Sequence, residues 1–354
     1  MIKFGKYQLN LMMSSAIIPV AFDRLDIKEV DGYLLFDHKP NSSFDDREVK
    51  FRTKEQLYRR KKETKVIEDD RFTEGALVVP ILINNTFYTT IFNLIPYVYK
   101  LYKADPSICF ILNETELSSD PDVRRSLGSM FSYIKKFFDH QGIKYIYIEA
   151  TDPPTAVKIS RYVDFSKVDD RHDLSIQDGL VSTKEIKKHL NIDESVEPSK
   201  KVYLSRKHLA LQRGATHPMR RGGENRFDSD IRMFNEELLE DYFKSIGYEV
   251  VVPEKDFKTF EEQVKYFNDV KALVSVSGSG LTNSIFMQEG TYVIDIGAEL
   301  LFPDRYLGSF QVLDNQHWLF NSYINHQTFI SVPTRRNPYQ AVERLDKLFK
   351  VLDI

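Results

Sequence analysis

The stretch from Val274 to Met287, VSVSGSGLTNSIFM, constrains the fold of this chain more than any other. Ala272 to Val276 is a short apolar run of the kind buried in a parallel sheet. Gly278 and Gly280 then allow a tight turn and a close approach of backbone to a ligand. Leu281 to Phe286 reads as the opening of a helix. Strand, glycine turn and helix in that order call for an α/β architecture. The unpaired N–H groups of the first helical turn, with Ser279, Thr282 and Asn283 beside them, favour a diphosphate. The spacing matches neither the three-glycine dinucleotide fingerprint nor the P-loop, so by itself it also fits a tight turn that holds no ligand.

The flanking sequence alternates strand and helix. Lys201 to Arg206 reads as a strand ending in a cation, and Asp230 to Leu239 as a helix carrying Arg232, Asn235 and Glu236. Gly247 to Glu254 reads as a strand. Thr259 to Val270 has Phe260, Val264, Phe267 and Val270 at helical spacing on one face and leads into the glycine turn. This alternation predicts Arg206 and the turn at one carboxyl edge of a parallel sheet, where open α/β sheets bind ligands. Earlier, Leu77–Ile83, Ser107–Leu112 and Lys144–Glu149 read as strands, with helices over Thr86–Tyr102 and Val123–Gln141. Pro338 to Leu352 reads as an amphipathic helix with Val342, Leu345, Leu348 and Val351 on one side.

In order and spacing, Ser205-Arg206, the segment RMFNEE (232–237), FEEQV (260–264) and GSGLTNSIFM (278–287) resemble the C-terminal half of glycosyltransferase family 61 over about residues 200–297. The resemblance implies a GT-B-like α/β fold, two Rossmann-like domains facing a cleft. It also implies inverting transfer from a nucleotide sugar and a donor held mainly by the C-terminal domain. The expected layout is an acceptor-side domain over 1–195, a nucleotide-sugar-binding domain over 196–335, and a helix over 336–354 packing back on the first domain. Arg206 and Arg232 are expected on the diphosphate, because a guanidinium fork matches phosphate oxygens and stays charged. Ser277, Gly278, Ser279, Gly280, Leu281, Thr282 and Asn283 are expected to line the donor with Asn235. Glu236 is expected to hold an arginine or a ribose hydroxyl, a helix-surface carboxylate being the plainer account, and Gln263 to position the turn or touch the nucleotide, with a buried structural amide the alternative. Where the family has histidine, this chain has Ser277 and Thr89. The insertion from Lys207 to Phe227 brings Arg213, Arg220 and Arg221, expected on the acceptor.

The catalytic base should be a carboxylate or imidazole of the N-terminal domain. Asp37, His38, Glu114, Glu149 and Asp152 all lie near expected strand ends, and Asp152 is the foremost of them. Asp120 with Asp122 and Asp228 with Asp230 form Asp-x-Asp pairs, but both sit before helices, where carboxylates cap N–H groups. No metal and no cofactor are therefore expected beyond the nucleotide-sugar co-substrate, taken as UDP-linked.

A net charge of −3 gives no global field toward nucleic acid or membrane. Two local runs are basic: eight cations against two acids from Lys50 to Lys65, and eight against one from Lys200 to Arg226. The single cysteine, Cys109, excludes an internal disulfide and fits a reducing cytoplasm. Leu11 to Phe22 is apolar but too short to span a bilayer. The chain reads as a cytoplasmic glycosyltransferase acting on a glycan. The basic runs and the absent histidines also suit an enzyme that glycosylates hydroxymethylated bases in DNA, with the target base flipped out. A non-catalytic nucleotide-sugar-binding protein is the third reading.

Overall fold

The computed structural model describes residues 17–19, 28–30, 32–36, 65–83, 87, 90–114, 121–149, 152, 155–163, 173–206, 235–276, 278–296, 326–332 and 337–352. They divide into two compact units. One holds the described residues within 17–119 and 131–182, the other those within 120–130 and 183–354.

The first unit is built on three sheets. Strands β1 (Ile17–Pro19) and β10 (Asp173–Ser175) pair antiparallel. Strands β2 (Lys28–Val30), β3 (Tyr33–Phe36), β8 (Thr155–Lys158) and β4 (Lys65–Ile67) form a mixed sheet in that order. The third sheet runs β7 (Lys144–Ile148), β6 (Cys109–Glu114), β5 (Leu77–Ile83), β9 (Arg161–Tyr162), all parallel. Pro80 sits inside β5 without breaking a ladder. Val78 turns its carbonyl toward Val163, so Pro80, two residues on, aims its missing N–H to the same side, beyond the last residue with which β9 pairs.

Val78, Cys109, Ile111, Ile146 and Ile148 of the parallel sheet share one core with Leu34, Phe36, Val157 and Ile159 of the mixed sheet. One face of the parallel sheet is thus covered by a second sheet. Aromatic side chains pack along two helices of the N-terminal half, α1 (Ile95–Ala104) and α2 (Pro121–Gln141). Tyr99 meets Phe137 at 6.3 Å, Phe131 meets Tyr147 at 6.1 Å, and Phe138 meets Tyr145 at 5.9 Å. A π-helical turn, Thr90–Leu94, precedes α1 where a continuous helix was expected.

After α3 (Ile176–His189), the second unit is one parallel sheet. It comprises β11 (Lys200–Leu204), β12 (Glu249–Val251), β13 (Val270–Val276), β14 (Tyr292–Ile296) and β15 (Thr328–Ser331). The spatial order is β12-β11-β13-β14-β15, every pair parallel. Helices α4 (Glu237–Ser245) and α6 (Pro338–Leu352) cover one face. There Tyr203, Leu239, Phe243, Tyr248, Val274, Ile294, Ala341, Leu345 and Phe349 form one core, with Tyr203 stacked on Phe243 at 4.4 Å. Leu273, Ser275, Val293 and Asp295 alternate to the opposite face. Helix α5 (Phe260–Asn268) and the 3₁₀ segment Ser279–Phe286 lie there, joined by the Phe260–Phe286 contact at 5.8 Å.

One expectation is corrected. Helix α6 buries Ala341, Leu345 and Phe349 in the core of its own unit, and Tyr242 donates to Asp346 at 2.7 Å. The buried face differs from the expected one, since Val351 is 82 % exposed. Residues spaced by three drift around a helix of 3.6 residues per turn, and nine residues bring Val351 to the side opposite Val342.

Candidate functional site

The chain leaves β11 through α4 on one face and reaches β13 through α5 on the other. That reversal places the topological switch point between β11 and β13, the position at which open α/β sheets carry a ligand crevice at the carboxyl edge. Arg206 stands two residues beyond Leu204, and Gly278 two residues beyond Val276. They meet across the crevice: a Cβ built on Gly278 would lie 1.4 Å from Nη1 and 2.6 Å from Cζ of Arg206. Gly278 also has φ 155° and ψ −175°, a region only glycine adopts readily. Glycine is required there twice over, by backbone and by space. Gly280 is different, since a Cβ there would meet Leu204 Cδ1 at an ordinary 3.6 Å.

The backbone of Arg206 is held from α4. The expected helix over 230–239 is corrected here, because α4 begins at Glu237 and Asn235 lies before it at φ 50°. Asparagine tolerates that left-handed conformation. Glu236, the next residue, is turned inward and is 8 % exposed. Glu236 Oε1 accepts from the Tyr203 hydroxyl at 2.9 Å and from the Arg206 N–H at 2.6 Å. One turn on, Glu240 accepts from the Ser205 hydroxyl at 2.6 Å. Burial holds the Glu236 carboxyl above the usual carboxylate range, against the pull of the Arg206 N–H, the Tyr203 hydroxyl and the Arg206 charge. Burial, and then the Glu236 charge, push the Tyr203 hydroxyl up in turn.

The turn itself is tied down from several sides. Gln263 Nε2 donates to Asn283 Oδ1 at 2.6 Å, and Asn283 Nδ2 donates to the Gly280 carbonyl at 2.8 Å. Ser284 donates to the Leu281 carbonyl at 2.5 Å. At the far end Lys187 Nζ reaches the Met287 carbonyl at 3.1 Å, and Gln327 Nε2 the Ser284 carbonyl at 3.1 Å. Leu281, Thr282 and Asn283 are at most 1 % exposed, so their side chains are packed inside the fold. The segment is 3₁₀ throughout rather than α-helical, with tighter i→i+3 bonds such as Leu281 N–H to the Gly278 carbonyl at 3.1 Å. Behind it, α5 starts on a capping box in which Thr259 and Glu262 each bind the other's backbone N–H.

Arg206, Glu236, Gln263 and the 278–283 turn are therefore brought together, and Asn235 shapes their support. Arg232, Ser277, Arg213, Arg220 and Arg221 lie outside the described residues. So do Asp37, His38, Thr89, Asp120, Asp228 and Asp230. Asp152 lies past the end of β7, where its carboxylate accepts the Glu149 N–H at 3.0 Å and meets Lys65 Nζ at 3.5 Å. Its oxygens close a turn. Glu149 pairs with Lys135 at 3.7 Å, and Glu114 is buried at the end of β6.

Three residues escaped the sequence reading. Tyr203 lies in an apolar strand and Glu240 among the acids of α4, and neither carries a local signal of its own. Asp295 is 2 % exposed and shares a rung of the sheet with Ser275 and Ser331. An acid inside the apolar run YVIDI was its only signal. Among the described residues no group of three His, Cys, Asp or Glu side chains is placed to hold a metal. No helix among them is long and apolar enough to cross a membrane.

No curated protein matches the chain. The family model of Glycosyltransferase 61 matches residues 110–294, from the second residue of β6 through the third of β14. The match thus reaches further toward the N-terminus than the motifs between 200 and 297, and it contains both sides of the Arg206–Gly278 crevice. That is 185 of 354 residues, more than half of the whole, and the chain belongs to the glycosyltransferase 61 family.

Proposed function

We propose that the protein is an inverting glycosyltransferase that takes a sugar from a nucleoside diphosphate sugar, UDP-linked, and transfers it to a hydroxyl of a glycan in the cytoplasm. The observation that carries this reading is the Arg206 guanidinium packed on Gly278 at the switch point of a parallel sheet. In the reaction the bond from the anomeric carbon to the diphosphate oxygen breaks as the acceptor oxygen attacks from the opposite face. The acceptor proton passes to a base, and the nucleoside diphosphate leaves with the bonding pair. Charge builds on the leaving oxygens, so a preorganised guanidinium and turn N–H groups aimed there lower the barrier. Arg206, joined by Arg232 and the 277–283 turn, supplies that charge without a divalent cation. Gln263, Asn283 and the inward side chains of the 3₁₀ segment hold the turn in shape, while its backbone faces the donor.

The test is transfer from a panel of radiolabelled nucleotide sugars, with and without EDTA, to two acceptor pools, surface glycans and DNA containing hydroxymethylcytosine. Label in the glycan pool with EDTA present supports the proposal. Label only in DNA would give the arginines at 213, 220 and 221 an acceptor role on phosphates. Donor binding without transfer or hydrolysis would leave a nucleotide-sugar-binding protein.

A further inference from the structure

We infer that Glu236 and Glu240 form a two-point clamp on the exit of β11, and that Glu236 is a positioning residue for Arg206 rather than a donor contact. The inference rests on the reading of the Arg206–Gly278 crevice as a diphosphate site. A helix that carries carboxylates four residues apart places them one above the other, an arrangement that is repulsive on an open surface. Here each acid has its own donor in consecutive positions of the strand exit. Glu240 takes the Ser205 hydroxyl at 2.6 Å, and Glu236 takes the Arg206 N–H at 2.6 Å and, three residues back, the Tyr203 hydroxyl at 2.9 Å. Tyr203 is itself fixed by stacking on Phe243 of the same helix at 4.4 Å. The strand exit is therefore locked to α4 by side chains at 203, 205, 236 and 240 and by the backbone of 206.

The lock has a geometric consequence. Two residues past a strand, a backbone is ordinarily free to choose its direction. With the Arg206 amide committed to Glu236, the Arg206 Cα is held, and the guanidinium falls on Gly278 and not into solvent. A buried carboxylate costs stability unless its hydrogen bonds are made. Glu236 makes its two through Oε1, both to β11 and its exit. The asparagine at φ 50° immediately before it is the second local cost of the same arrangement. One buried carboxylate oxygen thus ties the hydroxyl of Tyr203 to the amide of Arg206.

A positioning role and a ligand-contact role separate by conservative substitution. Glu236→Gln keeps the acceptor oxygen that both hydrogen bonds use and removes the charge, and Glu236→Ala removes both. The probe is UDP, titrated calorimetrically into wild type and both variants, alongside crystal structures of the variants. The expected pattern is UDP affinity within about threefold of wild type for Glu236→Gln and weaker by about tenfold or more for Glu236→Ala, the size of one lost charge-assisted contact. In the Glu236→Ala crystal the guanidinium should leave Gly278, and in the Glu236→Gln crystal it should stay. Equal losses in both variants would make Glu236 a direct ligand of the nucleotide. A guanidinium still on Gly278 in Glu236→Ala would overturn the clamp whether or not UDP binds. Failure of wild type to bind UDP, GDP, CDP or ADP would instead sink the diphosphate reading, and the crystals would still judge the clamp. Should Glu236→Ala not fold, Tyr203→Phe with Ser205→Ala loosens the same exit and is read the same way.

Discussion

Gly278→Ala isolates the contact on which the functional reading stands. The new methyl carbon would begin 1.4 Å from Arg206 Nη1 and 3.3 Å from Nη2, so the guanidinium must vacate its place. Because the obstructing atoms end a long side chain, the fold can absorb the change by swinging that side chain out. What remains in the folded state is backbone strain at φ 155°, about 1–3 kcal/mol. The loss to binding is larger in proportion. One charge-assisted bond from guanidinium to phosphate is worth about 1.5–3 kcal/mol, and at 1.4 kcal/mol per decade that is about 10- to 150-fold in UDP affinity. Gly280→Ala is the internal control, since its methyl would meet only Leu204 Cδ1 at 3.6 Å. It should leave affinity within about threefold, the size of a minor packing change. The assay is calorimetric titration of UDP into both variants and wild type, with thermal unfolding run on the same samples. Wild-type affinity in Gly278→Ala, or equal losses in both glycine variants, would refute the argument that this glycine exists to seat Arg206.

Other outcomes follow from the same geometry. Arg206→Lys keeps the charge but loses the fork, and should weaken UDP by about tenfold with an unchanged melting temperature. Asn283→Ala strips Gln263 Nε2 of its acceptor at 2.6 Å and should destabilise by about 1–3 kcal/mol in chemical unfolding, with turnover falling in step. Asp152→Ala should cost no more than about 1 kcal/mol in stability; a kcat loss of about a hundredfold at unchanged stability would assign Asp152 as the base, and kcat near wild type would leave it as a turn residue. Burial raises the Glu236 pKa in the folded state, so the folded protein binds that proton more tightly than the unfolded chain. Wild type should therefore gain stability relative to Glu236→Gln as pH falls from the raised pKa to the ordinary glutamate range, as followed by denaturant midpoints. A gain on raising the pH instead would reverse the assignment.

The alternation of strand and helix in the C-terminal half was legible because each element carried its own local signal. Val270–Val276 is an apolar run, Thr259 and Glu262 write a capping box three residues apart, and Phe260, Val264 and Phe267 repeat at helical spacing. Arg206 and the glycine turn could be paired from that alternation alone, since both follow strands of one parallel sheet. What decided the rest was distance between elements, which local pattern does not encode. The inward turn of Glu236 depends on a left-handed Asn235, and the roles of Tyr203 and Glu240 on which strand faces α4. Gln263, Lys187 and Gln327 fasten the second half and the exit of the 3₁₀ segment 279–286, contacts from distant parts of the chain that no local pattern announces. In the N-terminal half the strands were readable, yet the mixed sheet covering one face was not. Its strands are three or four residues long and separated widely in sequence, too short for a periodic pattern to show.

The seat of helix α6 sets the timing of folding. Phe349 stacks on Tyr248 at 5.7 Å and approaches Phe243 at 6.3 Å, about a hundred residues earlier in the chain. During synthesis β11, α4 and β12 emerge well before the helix that completes their core, so the aromatic face of α4 stays uncovered while the following hundred residues are made. At about 5–20 residues per second that interval lasts seconds, long compared with the formation of a helix. The crevice between β11 and β13 sits on a sheet whose core is completed only when this helix has been made.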